Sequence, residues 1–171
     1  MAAKTGTYTL IASNTLGSAA SSVTFSSIPQ TYTDLIIIAN VQGTTGGNGT
    51  CVQFNGDTGG NYSYILIDGN GSSATSSGAQ NQGNIQSGLV DNVGWGAQII
   101  QIMDYSNTTT YKNVLGRGND TLQLRLTTGI WKPTTGSATQ AINSITVLAS
   151  PNAYNFITGS TFKLYGIEAA K

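Results

Sequence analysis

The sequence predicts an all-β chain, an antiparallel sandwich or barrel of about ten strands. Three observations point there. No window sustains a helical period. Short apolar-alternating runs recur instead, separated by Gly, Asn, Ser and Thr. The prolines, Pro29, Pro133 and Pro151, fall at strand margins or in loops, where a missing N–H does not interrupt a ladder.

The elements follow in order. "TYTLI" puts Tyr8 and Leu10 on one face, and "SVTFS" does the same with Val23 and Phe25. "DLIIIANV" is apolar on both faces, as a central strand covered on both sides would be. "CVQFN" and "NYSYILIDG" flank a turn, and "WGAQIIQIMDY" and "YKNVLGRG" come next. "TLQLRLTT" alternates most cleanly: Leu122, Leu124 and Leu126 are expected inside, Gln123 and Arg125 outside. "AINSITVLAS" and "STFKLYGIE" close the series. The Ser/Gly-rich stretch "GNGSSATSSGAQNQGN" (69–84) reads as one long loop rather than a linker, so residues 1–171 are expected to form a single domain.

Composition narrows the function. Charged residues make up 8% of the chain, far below the usual quarter, and seven basic side chains balance seven acidic ones. Such a chain offers no electrostatic footprint for nucleic acid or an anionic membrane. It also has little charge to hold its own copies apart, which suits a protein that works assembled. With no histidine, a Ser-His-Asp triad, a Cys-His pair and His-ligated zinc are all excluded within the chain. Cys51 stands alone on an alternating strand and reads as a small buried hydrophobe. No apolar run approaches the ~18 residues of a membrane span. The N-terminal segment lacks an apolar core of signal-peptide length, so synthesis in a cytosol without processing is expected.

Asp57-Thr58-Gly59 spells the tripeptide that carries the catalytic carboxylate of aspartic proteases. In those enzymes it follows an apolar strand and meets a second copy, so that two carboxylates share a proton. Here Asn55-Gly56 precede it and Gly59-Gly60 surround it, which predicts a hairpin bend with Asp57 bonded to the turn backbone. Asn55, Asp57 and Asp68-Gly69-Asn70 suggest calcium, but the acidic cluster and closing Glu of a calcium loop are missing. "GTTGGNGT" lacks the Lys of a phosphate loop. The sequons at Asn48, Asn61, Asn70, Asn107 and Asn119 are what an Asn/Ser/Thr-rich composition produces. Asp104 and Asp120 are too isolated in sequence to pair as acid and base. No enzyme, cofactor or metal is expected.

Trp131 and Lys132 in "GIWKPTTG", with Tyr154 and Phe156 in "SPNAYNFITG", lie in or beside turn-rich segments. Their aromatics have two readings: loops folded back onto the sandwich, or exposed anchors for a partner protein or a sugar ring. The four residues are the candidate contact set.

"VTFSSIPQTYTDLIIIANV", "VQFNGDTGGNYSY", "AINSITVL" and "TFKLYGIEAAK" together resemble a group of tailed-phage virion proteins, especially from marine and cyanobacterial phages. The similarity covers most of the chain and is looser in its middle third. It implies a jelly-roll-like β-sandwich located in the virion, after synthesis in the host bacterial cytoplasm, and carries over no catalytic residue. One implied role is a capsid decoration or cement protein on the major capsid protein or other virion proteins. The alternative is a tail-fibre or head-appendage adsorption module touching host sugar. Bare sheet edges in a chain with few charges suggest a symmetric homo-oligomer, and the three-fold positions of an icosahedral shell favour a trimer.

Overall fold

The computed structural model describes residues 7–46, 48–133, 139–150 and 154–168. It forms a jelly-roll-like antiparallel β-sandwich with no helix among those residues. The strands are β1 (Tyr8–Thr15), β2 (Ser22–Phe25), β3 (Asp34–Val41), β4 (Asn48–Phe54), β5 (Tyr62–Gly69) and β6 (Ala74–Gln82). They continue with β7 (Ile85–Val90), β8 (Gly96–Met103), β9 (Lys112–Asn119), β10 (Leu124–Trp131), β11 (Ile145–Ala149) and β12 (Thr161–Ile167). One sheet has eight strands in the order β1-β12-β3-β8-β9-β10-β5-β6, and the other has four in the order β2-β11-β4-β7.

The core lies between the sheets. Leu35, Ile37, Ile100, Ile102, Val114, Phe162 and Leu164 project from the large sheet. Val23, Phe25, Val52, Phe54, Ile85, Ile145 and Val147 meet them from the small one. The alternation visible in the sequence produces this arrangement, since every second side chain of a strand shares a face.

Strand β7 packs directly over β9 and β10, and glycines make this possible. A Cβ on Gly116 would sit 2.5 Å from the Ser87 carbonyl oxygen, and one on Gly129 would sit 2.8 Å from Ile85. A polar seam runs beside this contact. Thr50 Oγ1 donates to Gln98 Oε1 at 2.6 Å, and Gln98 Nε2 donates to the Leu89 carbonyl at 2.6 Å.

The structure corrects three expectations. The 69–84 segment is not one loop: residues 74–82 form β6, an edge strand paired with β5. Its alternation is invisible because it carries only Ser, Thr, Ala, Gly, Asn and Gln. The "IQSGLV" run also forms a strand, β7.

Asn55-Gly56 does make a two-residue turn, with φ of 54° and 69° and a bond from the Asp57 amide to the Phe54 carbonyl. It is not a hairpin, however. Strand β4 pairs with β7 and β11, while β5 pairs with β6 and β10, so the turn carries the chain from one sheet to the other.

The phase of "TLQLRLTT" is inverted. Leu122, Leu124 and Leu126 point outward and are 77%, 67% and 48% exposed. Arg125 points inward, where its Nε and Nη2 grip both Asp68 oxygens at 2.7 Å. Alternation reports the period of a strand but not which face is buried. Here a bidentate ion pair takes the inner side.

Candidate assembly interface

The predicted contact residues must be placed first. Trp131, Tyr154 and Phe156 are not exposed anchors: their exposures are 1%, 8% and 0%. Trp131 packs against Phe54 at 5.5 Å and Tyr62 at 6.2 Å between ring centroids. Phe156 sits edge-on to Phe162 at 5.1 Å and to Tyr154 at 5.8 Å, and the Tyr154 hydroxyl donates to the Gly49 carbonyl. These rings fold back onto the sandwich because each buries a large apolar surface there. Lys132 alone of the set is exposed, and its neighbours 134–138 lie outside the described residues.

The structure does bring Asp57 and Trp131 together. The indole Nε1–H donates to Asp57 Oδ2 at 2.8 Å, and Asp57 also accepts from the Gly59 amide and from Asn61 Nδ2. Partial burial alone would raise the carboxyl pKa, but the bonds from Trp131, Asn61 and Gly59 outweigh it and hold the group below its ordinary range. Asp57 is thus a turn-to-core clamp.

Other polar candidates have similar work. Asn70 Oδ1 accepts from the Ser72 and Ser73 amides, and Asn107 Oδ1 from the Thr109 and Thr110 amides. Asp120 Oδ1 accepts from the Leu122 and Gln123 amides. The Asn-X-Ser/Thr triplets at 70 and 107 are therefore turns closed by their own side chains. Among the described residues, no three His, Cys, Asp or Glu side chains gather as metal ligands. Cys51 is buried, and desolvation pushes its thiol up to about 12 despite nearby Arg125.

Lys112 was not legible as special in the sequence. It is 1% exposed, and its Nζ donates to the Asn107 and Thr110 carbonyls at 2.5 and 2.8 Å. Burial lowers its pKa, with the charge of Asp104 opposing. The ammonium organises the β8–β9 turn.

What remains is the outer face of the eight-stranded sheet, turned away from the core. The strand registers place Lys163, Ile38, Ile99, Arg117, Leu126 and Ile67 side by side from β12 to β5. A neighbouring row runs Tyr165, Ile36, Gln101, Leu115, Thr128 and Ile65. Tyr8, Leu10, Met103 and Leu124 extend the apolar surface, and all are exposed. Three shallow grooves of about 410, 240 and 460 Å³ lie along this face, the latter two flanking Arg117.

The whole outer face, polar β6 included, spans seven interstrand gaps of ~4.8 Å and three row spacings of ~6.8 Å, a projected area of roughly 700 Å². That approaches the ~800 Å² each partner buries in a standard stable interface. The signal for this face was present in "DLIIIANV" and "NYSYILIDG", which are apolar on both sides. The chain covers only one of those sides.

Comparison with known proteins adds little. No protein-family model matches the chain, and no curated protein matches it. Among solved structures, an alginate lyase mutant in complex with alginate tetrasaccharide is similar at a TM-score of 0.32 and 12% identity. That alignment covers 82% of this chain and 72% of the other. A likeness at that level carries no weight for chemistry or binding.

Proposed function

We propose that this chain is a non-enzymatic structural protein of a phage particle, a decoration or cement protein that docks the outer face of its large sheet onto the head. The observation that carries this reading is the broad apolar face, left uncovered in a chain whose core is otherwise closed. Contiguous exposed apolar surface beyond scattered single residues marks interaction sites. Its cations, Lys163 and Arg117, are exposed. The ion pair among the described residues is Arg125–Asp68, on the inner side, so neither outer cation has an ion-pair partner among those residues. The matching surface on the capsid is apolar with a carboxylate opposite Arg117.

Cryo-microscopy of particles carrying a specifically labelled copy tests the reading. Label distributed over the head supports it. Label confined to tail fibres, or binding of the purified chain to host polysaccharide and not to heads, favours the adsorption role.

A further inference from the structure

We infer that two copies of this chain pair through their β6 strands, edge to edge and antiparallel about a two-fold axis normal to the sheet. Strand β6 ends the eight-stranded sheet, so among the described residues one of its edges has no neighbouring strand. It spans nine residues, Ala74–Gln82, and seven of them are exposed. It contains no charge and no proline, two of the devices by which edges are guarded.

The remaining edges are managed. Strand β1 carries a bulge between Leu10 and Ala12. Strand β2 has only four residues. Strand β7 is interrupted opposite Thr50 and Cys51, and almost all of it is buried. Strand β6 has an irregularity too, between Ala79 and Gln82, but it lies at the strand's end and leaves a regular register from Ala74 to Ala79. Its buried apolar contribution is slight, so the ordering cost of the strand is met mainly by bonds to β5. A second strand satisfies the main-chain groups left over, and small Ser, Thr, Ala and Gly side chains let it approach closely.

A two-fold axis normal to the sheet makes like strands antiparallel and closes the contact, giving a dimer rather than an open fibre. It also leaves both outer faces on the same side. If those faces dock as proposed above, the pair engages the head with two surfaces at once. The pairing itself does not depend on that docking.

Native mass spectrometry and residue-resolved hydrogen exchange of the whole purified chain test this. The expected mass at micromolar concentration is twice that of one chain, with every amide from Ala74 to Ala79 protected. Ser76→Lys/Gln80→Lys should halve the mass, keep the circular dichroism and a cooperative melt whose midpoint no longer depends on protein concentration, and expose alternate amides of β6. Leu126→Glu, on the outer face, should keep the dimer. A chain monomeric even near millimolar concentration overturns the inference. So does a wild-type oligomer with alternate β6 amides exchanging freely, a dimer that survives the lysine pair, or one abolished by Leu126→Glu.

Discussion

Asp57 shows how a residue that spells catalysis can serve folding. Its carboxylate gathers the Trp131 indole, the Asn61 amide and the Gly59 backbone into one clamp. Asp57→Ala leaves a buried indole N–H unpaired and should cost about 1–3 kcal/mol in urea denaturation at neutral pH. The folded pKa lies below the unfolded one, so this stabilisation is complete above the ordinary Asp range near ~4. It is lost as pH falls through the folded value. The stability gap between wild type and Asp57→Asn should therefore narrow on acidification. A gap that stays constant to the lowest folded pH would remove the charge from the account.

Arg125 and Leu124 are adjacent residues with opposite fates. Arg125→Ala leaves Asp68 partly buried without its partner and should cost on the order of 3 kcal/mol. Leu124→Asp adds a charge on the open face and should change the stability of the isolated chain by less than about 0.5 kcal/mol. Equilibrium unfolding of both variants checks the phase of β10. The opposite ranking would restore the leucine-inward reading that "TLQLRLTT" suggests on its own.

At the scale of elements, the glycines of β9 and β10 are spacing devices. Gly116→Ala drives a Cβ into the Ser87 carbonyl and should destabilise by about 1–3 kcal/mol. Gly69→Ala meets only the Ser73 carbonyl at 3.7 Å and serves as the near-neutral control. Equal melting temperatures for the two variants would mean that β7 does not lie on those glycines.

These elements also show what the sequence made legible. Strands with an apolar side, such as β2, β3, β8 and β12, could be read because burial selects every second residue. Strand β6 could not, since it buries almost nothing and its order comes from β5. The Asn55-Gly56 turn was legible as a turn, but its role as a bridge between sheets depends on pairings far along the chain. The sequence left two readings open for the contact aromatics for a related reason. Trp131 and Tyr154 stand beside turn residues in sequence, yet each ring reaches back to the core.

At the scale of the molecule, the sandwich closes one core and leaves a second apolar surface open. A chain with so few charges has little else to keep such a surface from a partner. Under the proposed function, that partner is an assembled particle, and the low charge suits such a state. Replacing Leu115 and Leu126 together with Glu should preserve the fold, because both point outward, while sharply lowering occupancy on purified heads. Full occupancy with unchanged stability would leave the face without a role.

The most direct test is thiol labelling at a single introduced site. Native Cys51 is buried with its thiol held protonated, so Leu126→Cys supplies the one reactive sulfur. Maleimide should modify position 126 rapidly in the free chain, where Leu126 is 48% exposed. On assembled heads the rate should fall by at least an order of magnitude, as expected for the dry centre of an interface. Equal rates on and off the particle would contradict the claim that the outer face of the large sheet is the surface by which this protein assembles.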